Sequence, residues 1–354
     1  MNVHSNLLHL PVLLLYTIDH EWLLGDINEA RQVAKLMCDA LSDEGYTVAE
    51  LCIDDPDLIS RLMQYNADTC LIFNWCEELP GIPHSTAQVA KILEMLGFVF
   101  TGASSDTLAL SEDKPLVKQR LHSSGVPIPP WRIYTSTSPD GWNHFPAIVK
   151  PAYEHCSYGV TNEAVVLTPG ELNNRIDYIM ETFNQPVLVE EFIDGREFHV
   201  TVVGNGELEI FPVAEMDFST IADIKKRLCT YESKFDPLSE QYQSIKLRLP
   251  ALLTQKEELD LRKTAVQAYR AIDCRDYARL DIRLQNSVFY ILDVNPNADI
   301  SPDTSSALAA EASGMSYGQL ASSLIKLATR RHQFYNQLQE KVSNENIDNC
   351  NAIQ

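Results

Sequence analysis

Short apolar segments alternate with amphipathic segments over the first hundred residues, and this alternation restricts the fold more than any other feature. VLLLY (12–16), TVAELCI (47–53), TCLIFNW (69–75) and FVFTG (98–102) predict strands. NEARQVAKLMCDALSDEGY, PDLISRLMQY and TAQVAKILEMLG predict the helices between them. The pattern predicts a doubly wound α/β domain. Because no G-x-G-x-x-G follows the first strand, the sequence does not support a dinucleotide site there.

The charge and the cysteines restrict the partners and the compartment. The chain of 354 residues has a formal net charge of −21. Such a chain repels nucleic acid and anionic membranes, so neither is expected as a partner. Its eight cysteines form no C-x-x-C pair, which favours reduced thiols over a zinc site or a disulfide framework. The apolar LLHLPVLLLY lacks the features of a signal peptide. We therefore expect a cytoplasmic protein of two or three domains.

The rest of the chain predicts two α+β regions. PAIVKPAYEHCSYGV predicts a strand, a loop of small residues and the start of another strand, and ELNNRIDYIMETF predicts a helix before the strand PVLVEEFI. GREFHVTVVGNGELEIFPVAE alternates with period two around Gly204-Asn205-Gly206, which predicts a hairpin. Residues 216–255 show no clear period. LDLRKTAVQAYRAI predicts another helix, and helix also closes the chain before a polar tail.

The stretch ARLDIRLQNSVFYILDVNPNADIS (278–301) predicts two neighbouring strands that carry an unusual set of polar groups. Arg279 and Asp281 are two residues apart and share a face, as do Asp293 and Asn295. Two carboxylates and an amide oxygen are hard ligands that suit Mg²⁺. An ordinary sheet face with cross-strand ion pairs explains the same residues equally well. From this stretch alone, both interpretations stay open.

Two further motifs are weaker when each is taken alone. In IVKPAYEHCSYGV, Lys150 ends a strand before a loop whose backbone N–H groups can face phosphate oxygens. In LVEEFIDGREF, a strand edge offers backbone groups to an adenine, and an acidic residue follows that can accept ribose hydroxyls. Taken alone, the first motif is better explained by a solvated lysine beside an ordinary turn. A strand with an acidic turn accounts for the second.

The order of these motifs resembles the ATP-grasp ligases, and most closely their D-alanine–D-alanine ligase branch. KP, a Gly/Ser loop, VEEFI-x-G-R-E-F, ARLDIR and LDVNPN follow one another along the chain, and FTGASSDTLALSEDKPLVKQRL is similar to the family segment that ends the first domain. The resemblance implies an α/β (α+β) ATP-grasp fold, in which two α+β subdomains hold ATP between them. The implied boundaries are 1–102 for the N-terminal domain, 103–191 and 192–330 for the subdomains, and 331–354 for a helical and polar tail.

The resemblance also implies a role for each site residue. The ATP phosphates would be contacted by Lys114, Lys150, Cys156, Ser157 and Gly159. The adenine would be held by Glu190, Glu191, Phe192 and Ile193, and the ribose by Glu197. Two Mg²⁺ ions, with Mn²⁺ as an alternative, would be held by Asp281, Asp293 and Asn295. Lys234 would lie near the triphosphate, and Arg279 would stabilise the charge on the attacked carbonyl. The family usually has Ser at position 156 and Glu at position 293.

The implied reaction activates a carboxylate as an acyl phosphate and couples it to an amine. Both substrates would be small molecules, of amino-acid or dipeptide type, and relatives are often homodimers. Two segments depart from the D-alanine–D-alanine ligase pattern. YTIDHEWLLGDINEA lacks the Gly-Gly and Ser signature, although it offers Asp19 and Glu21, and NPNADISPDTSS replaces Asn-x-x-Pro-Gly. The alternatives are a true D-alanine–D-alanine ligase and, from another class, a non-catalytic nucleotide-binding partner protein.

Overall fold

A computed structural model describes residues 10–136, 141–155, 157–230, 233 and 238–332. The first domain is a parallel sheet of order β2–β1–β3 with helices on both faces. All six residues of β1 are buried, and its alternate side chains enter two different hydrophobic cores, which confirms the doubly wound prediction. The elements are β1 (Val12–Thr17), α1 (Leu24–Asp43), β2 (Val48–Ile53), α2 (Leu58–Leu62), β3 (Leu71–Trp75) and α3 (Thr86–Met95).

The strand predicted at residues 98–102 was wrong, because this segment makes a single parallel bridge between Ile72 and Phe100. The chain turns away at Gly102, whose φ of +95° favours glycine. A Cβ at Gly102 would overlap the Asn297 side chain, and the Gly102 N–H donates to Asp276 at 2.8 Å. The apolar run therefore makes one strand-like bridge. Gly102 then contacts Asp276 and Asn297 instead of extending the sheet.

The second sheet is antiparallel, has the order β4–β7–β5–β6 and packs against α6. The Thr168 hydroxyl begins α6 by accepting the N–H of Glu171 at 3.2 Å. The elements of this region are α4 (Ser105–Ser111), α5 (Lys114–Ser123), β4 (Trp131–Tyr134), β5 (Ala147–Pro151), β6 (Val165–Val166), α6 (Pro169–Phe183) and β7 (Val187–Glu191). A 3₁₀ turn at Asn162–Ala164 precedes β6.

The third sheet is antiparallel with the order β11–β10–β8–β12–β13, and β9 pairs with β8 as the predicted hairpin. Helix α8 packs with α5 against the apolar face of this sheet. The elements are β8 (Arg196–Val203), β9 (Glu209–Ile210), β10 (Ala214–Asp217), α7 (Glu240–Ser244), β11 (Lys246–Arg248), α8 (Gln255–Ala271), β12 (Tyr277–Gln285) and β13 (Val288–Pro296). The segment predicted to be irregular thus contains short elements, including a 3₁₀ turn at Ile224–Lys226.

The last two helices, α9 (Ser305–Ala312) and α10 (Tyr317–Thr329), return to the first domain. Helix α10 lies against α1 so closely that a Cβ at Gly318 would be 2.5 Å from the carbonyl oxygen of Ala40. Tyr46 and Ser322 join across this contact through their hydroxyls at 3.0 Å. None of the helices within the described residues combines the length and apolar character that crossing a membrane requires. Most of the predicted tail lies outside the described residues.

Candidate active site

Three neighbouring strands, β8, β12 and β13, carry one continuous polar face. In the register of the sheet, Asp281 lies opposite Asp293 on one side and opposite His199 on the other. Arg279 lies opposite Asn295. Directly opposite residues of antiparallel strands point to the same face. The four polar residues predicted from residues 278–301 are therefore brought together.

Arg279 and Asp281 form a two-point ion pair. Arg279 donates from Nε to Oδ1 at 2.8 Å and from Nη2 to Oδ2 at 3.2 Å, and Asn295 Nδ2 donates to the same Oδ2 at 3.2 Å. Burial acts to lower the pKa of Arg279, but the Asp281 carboxylate more than offsets it, so the pKa is raised. The predicted oxyanion donor is thus held in place by a predicted metal ligand.

A β-bulge shapes the edge of this face on β13. Asp281 pairs with Asp293 and Ile282 pairs with Ile291, so Leu292 is an extra residue. The carbonyl of Leu292 accepts a hydrogen bond from Lys118 Nζ at 2.8 Å. The bulge therefore places a backbone acceptor beside Asp293, and a buried lysine satisfies it.

Glu190 joins the second sheet to this region through two lysines. Its carboxylate lies 2.7 Å from Lys118 Nζ and 3.0 Å from Lys150 Nζ. Burial acts to raise the pKa of Glu190, but Lys118 and Lys150 outweigh it and bring the pKa to about 2. Burial also acts to lower the pKa of Lys150, yet Glu190 and then Asp293 raise it. Lys150 and Glu190 are therefore charged at neutral pH.

Lys114 and the loop after β5 lie beside the same cluster. Lys114 Nζ donates to the carbonyl of Glu154, and burial lowers its pKa although Asp293 opposes this effect. Ser157 donates to the Cys229 carbonyl at 3.1 Å. Gly159 has a φ of +75°, and a Cβ there would come within 2.8 Å of the Phe183 ring and of Pro151. The glycine thus permits the loop to pack closely on the strand end.

Glu197 is buried and paired with Arg283, which lies directly opposite it in the sheet. Arg283 Nε donates to Glu197 Oε2 at 2.7 Å, and its Nη1 donates to the Ile193 carbonyl at 2.7 Å. Burial acts to raise the pKa of Glu197, but Arg283 and His199 outweigh it and lower the pKa to about 2. The predicted ribose acceptor is therefore an ionised carboxylate that is fixed by an arginine.

The predicted adenine segment is held at the junction between the second and third sheets. The N–H of Glu191 donates to the Pro130 carbonyl at 2.9 Å, and the N–H of Phe192 donates to the Pro146 carbonyl at 2.8 Å. Phe192 is buried, and its ring lies 4.5 Å from the Arg283 guanidinium. These bonds fix the path of the backbone between β7 and β8.

Three residues of this cluster were not predicted. Lys118 is four residues after Lys114 on α5, so helical spacing could have found it. Arg283 is two residues after Asp281, so strand spacing could have found it. His199 is two residues after Glu197 on β8, so strand spacing could have found it as well. The predicted residues Cys156 and Lys234 lie outside the described residues.

The donor set on this face fits a hard divalent cation. Asp281, Asp293 and Asn295 offer carboxylate and amide oxygens from facing positions of two paired strands. Oxygen-only donors at such positions suit Mg²⁺ and similar ions. The amide nitrogen of Asn295 already donates to Asp281, which leaves its carbonyl oxygen as the metal-binding atom.

The family model described as "D-ala D-ala ligase C-terminus" matches residues 125–326, which is more than half of the chain. The chain belongs to this ligase family. Its members are ATP-dependent ligases that join a carboxylate to an amine, and this chain is such an enzyme. The matched residues contain the second sheet, the third sheet and every residue of the polar face.

Individual relatives extend this similarity to the N-terminal domain. An uncharacterised protein of Sinorhizobium fredii, y4sG, is 32% identical over 85% of this chain and 88% of its own length. A D-alanine–D-alanine ligase of Desulforudis audaxviator is 28% identical over 87% of this chain and 98% of its own length. The crystal structure of a Bacillus anthracis D-alanine–D-alanine ligase complexed with ATP has a TM-score of 0.71, with 18% identity, over 92% of this chain and 99% of that one. This last similarity confirms the ATP-grasp fold.

Proposed function

We propose that the enzyme uses ATP and Mg²⁺ to convert the carboxylate of an amino-acid or dipeptide substrate into an acyl phosphate, which the amine of a second substrate then attacks. The observation that carries the proposal is the register of β12 and β13, which gathers Arg279, Asp281, Asp293 and Asn295 on one face. Asp293 is also close enough to act on both lysines: it opposes the lowering of the Lys114 pKa by burial, and with Glu190 it raises the pKa of Lys150. A phosphate-binding site needs this combination of cations and oxygen ligands.

Each part of the cluster has a role in this proposal. Lys114 and Lys150 neutralise phosphate charge, and the loop that contains Ser157 and Gly159 covers the phosphates. The segment Glu190–Ile193 receives the adenine, and Glu197 accepts the ribose hydroxyls. Asp281, Asp293 and Asn295 hold Mg²⁺, which when bound neutralises charge on the phosphate oxygens. The contributions of Cys156 and Lys234 remain predictions, as do the number of metal ions, a homodimer, a cytoplasmic location and the domain boundaries at 102, 191 and 330.

Arg279 is proposed to stabilise the tetrahedral species that forms when the amine attacks the acyl phosphate. Its guanidinium is held at two points by Asp281, so it is oriented before the substrates arrive. Such a fixed donor to an oxyanion typically lowers the activation free energy by about 3–4 kcal/mol. The amine loses a proton, the C–N bond forms, and inorganic phosphate leaves. Closure of the loop over the site limits hydrolysis of the acyl phosphate by water.

The substrate is proposed to differ from a pair of D-alanines. The segment NPNADIS places Asp299 where the family pattern has glycine, and Asp299 accepts hydrogen bonds from the backbone and hydroxyl of Ser301. A carboxylate at this position repels a substrate carboxylate. Asp19, in the other divergent segment, accepts the N–H groups of Glu21 and Gly81 and so fixes a loop beside β1. The Asp299 segment directly follows β13, which carries Asp293 and Asn295.

The test offers the purified enzyme ATP, Mg²⁺ and a panel of amino acids and dipeptides, in pairs and alone. We expect phosphate release that depends on both a carboxylate and an amine, with a condensed product visible by mass spectrometry. Arg279→Lys and Asp293→Asn are matched inactive controls, and Lys91→Met, an exposed lysine of α3, is the active control. Nucleotide binding without phosphate release across the panel would contradict the proposal.

A D-alanine–D-alanine ligase is the second candidate, because relatives with that name match 84–87% of this chain at 26–29% identity. D-alanine offered as the sole amino acid separates the two candidates. Efficient formation of D-alanyl-D-alanine would support the second candidate. Activity confined to other pairs would support a changed substrate.

A further inference from the structure

A cluster of three potential metal ligands lies beside the polar face but is separate from the Asp281, Asp293 and Asn295 set. It consists of Glu197 and His199 on β8 and of Cys229, which follows the 3₁₀ turn at Ile224–Lys226. One ligand atom from each of the three residues lies within 4.8 Å of the others. His199 Nε2 is 3.8 Å from Glu197 Oε1. Atoms this close can bind one ion after small side-chain movements.

Two of the three ligands are each oriented by a hydrogen-bond partner from outside the cluster. Arg283 holds Glu197 through Oε2 at 2.7 Å, which leaves Oε1 directed to His199. Ser305 holds His199 through Nδ1 at 3.0 Å, which leaves Nε2 directed to the cluster. A hydrogen bond at the second nitrogen of the imidazole is the usual companion of a metal-binding histidine. Glu197 and His199 are also both buried.

The donor atoms select the class of ion. A carboxylate oxygen, an imidazole nitrogen and a thiolate sulfur suit Zn²⁺ and related transition metals, whereas Mg²⁺ prefers oxygen ligands alone. We propose that Glu197, His199 and Cys229 form a site for a zinc-class divalent ion. Binding releases the thiol proton to solvent, since the thiolate is the ligand. Three protein ligands leave one further position for water.

The position of this site couples it to nucleotide binding, a consequence that rests on the proposed function. Glu197 is the proposed acceptor of the ribose hydroxyls, so an ion that occupies its carboxylate competes with ATP. His199 Nε2 also lies 3.9 Å from Asp281 Oδ1, which places the site next to the proposed magnesium ligands. A zinc-class ion is therefore an inhibitor that acts through the ribose position.

The test titrates the full-length enzyme, without nucleotide, with Co²⁺ as a spectroscopic substitute for Zn²⁺. We expect one equivalent to bind with a thiolate-to-cobalt charge-transfer band, and Zn²⁺ to displace it. Cys229→Ser removes the band, and His199→Gln weakens binding by more than the 10–100-fold that loss of a second-shell partner typically causes. Ser305→Ala, which removes such a partner, weakens binding about 10-fold. Cys52→Ser, in β2 of the first domain, keeps the band.

The outcomes separate this proposal from the proposed function. Absence of cobalt binding, or a band that persists in Cys229→Ser, would overturn the site, and neither result depends on catalysis. A band that persists at saturating ATP would overturn the competition through Glu197. Loss of the band on addition of adenosine, which lacks the phosphates that chelate Co²⁺, supports it. Ligase activity is measured separately, in a buffer that contains Mg²⁺ but no transition metal. A lack of ligase activity there affects only the proposed function.

Discussion

Replacement of Lys118 by Met tests whether the charges around Glu190 stabilise the fold as the structure indicates. Glu190 is fully buried between Lys118 and Lys150, and its pKa falls from 4.5 to about 2 on folding. At about 1.4 kcal/mol for each pH unit, this fall corresponds to about 3 kcal/mol of folding free energy at neutral pH. Lys118 and Lys150 are the two groups that lower this pKa. The substitution also removes the donor to the Leu292 carbonyl, at a further cost of about 1–2 kcal/mol.

We therefore expect Lys118→Met to lower the free energy of unfolding by about 3 kcal/mol at pH 7. A carboxylate with a depressed pKa stabilises the fold above its unfolded pKa and loses this effect as the pH falls through its folded pKa. The deficit should therefore shrink between about pH 4.5 and pH 2, as Glu190 becomes protonated. Urea denaturation at pH 7 and at pH 3.5 measures both values.

The double variant Lys118→Met with Glu190→Gln is the matched control. Once Glu190 is replaced, Lys118 no longer has a carboxylate to pair with, so its loss costs less. The double variant should therefore be more stable than the sum of the two single effects predicts, by about 1–3 kcal/mol. The exposed substitution Lys91→Met should leave stability within about 0.5 kcal/mol of the parent. A deficit that is equal at both pH values, or additive behaviour in the cycle, would refute the electrostatic account of Glu190.

Three further substitutions test other parts of the site. Asp293→Asn should lower kcat/KM by about 10²–10³-fold and raise the Mg²⁺ concentration needed for half-maximal rate, and an unchanged Mg²⁺ concentration for half-maximal rate would argue against metal binding there. Arg283→Leu should lower the free energy of unfolding by about 3–5 kcal/mol, because it leaves Glu197 buried without its partner; denaturation with Arg283→Leu/Glu197→Gln as the rescue variant checks this. Gly159→Ala should raise the KM for ATP and cost about 1–2 kcal/mol of stability, since its Cβ meets Phe183 and Pro151; unchanged kinetics would show that the loop does not touch ATP.

The polar face could be predicted from the sequence because its residues lie close together along the chain. Strand periodicity alone places Arg279 with Asp281, and Asp293 with Asn295, and the hairpin between β12 and β13 brings the two pairs together. The doubly wound domain was predictable for a similar reason, since VLLLY is an uninterrupted apolar run and β1 is buried at every position between two cores. The segment at 98–102 failed because the turn at Gly102 depends on Asp276 and Asn297, which are distant in the sequence.

The charge pairs of Glu190 and Glu197 could not be predicted, because they join residues far apart along the chain. Lys118 and Glu190 are 72 positions apart in the sequence, and Arg283 and Glu197 are 86 positions apart. The register of β8 against β12 is what places His199 opposite Asp281. Sequence spacing names the residues on one face of one element, whereas the pairing of elements decides which faces meet.

The charged residues of the site balance one another before any ligand is bound. Glu190 lies between two lysines, Asp281 is paired with Arg279, and Glu197 is paired with Arg283. An uncompensated charge at these buried positions would cost several kcal/mol, so the cations can be kept there only with partners. In a chain of net charge −21, this arrangement concentrates positive groups where phosphates are proposed to bind. Asp299 lies in the segment after β13 and outside these three pairs, so the proposed change of substrate leaves the proposed ATP site intact.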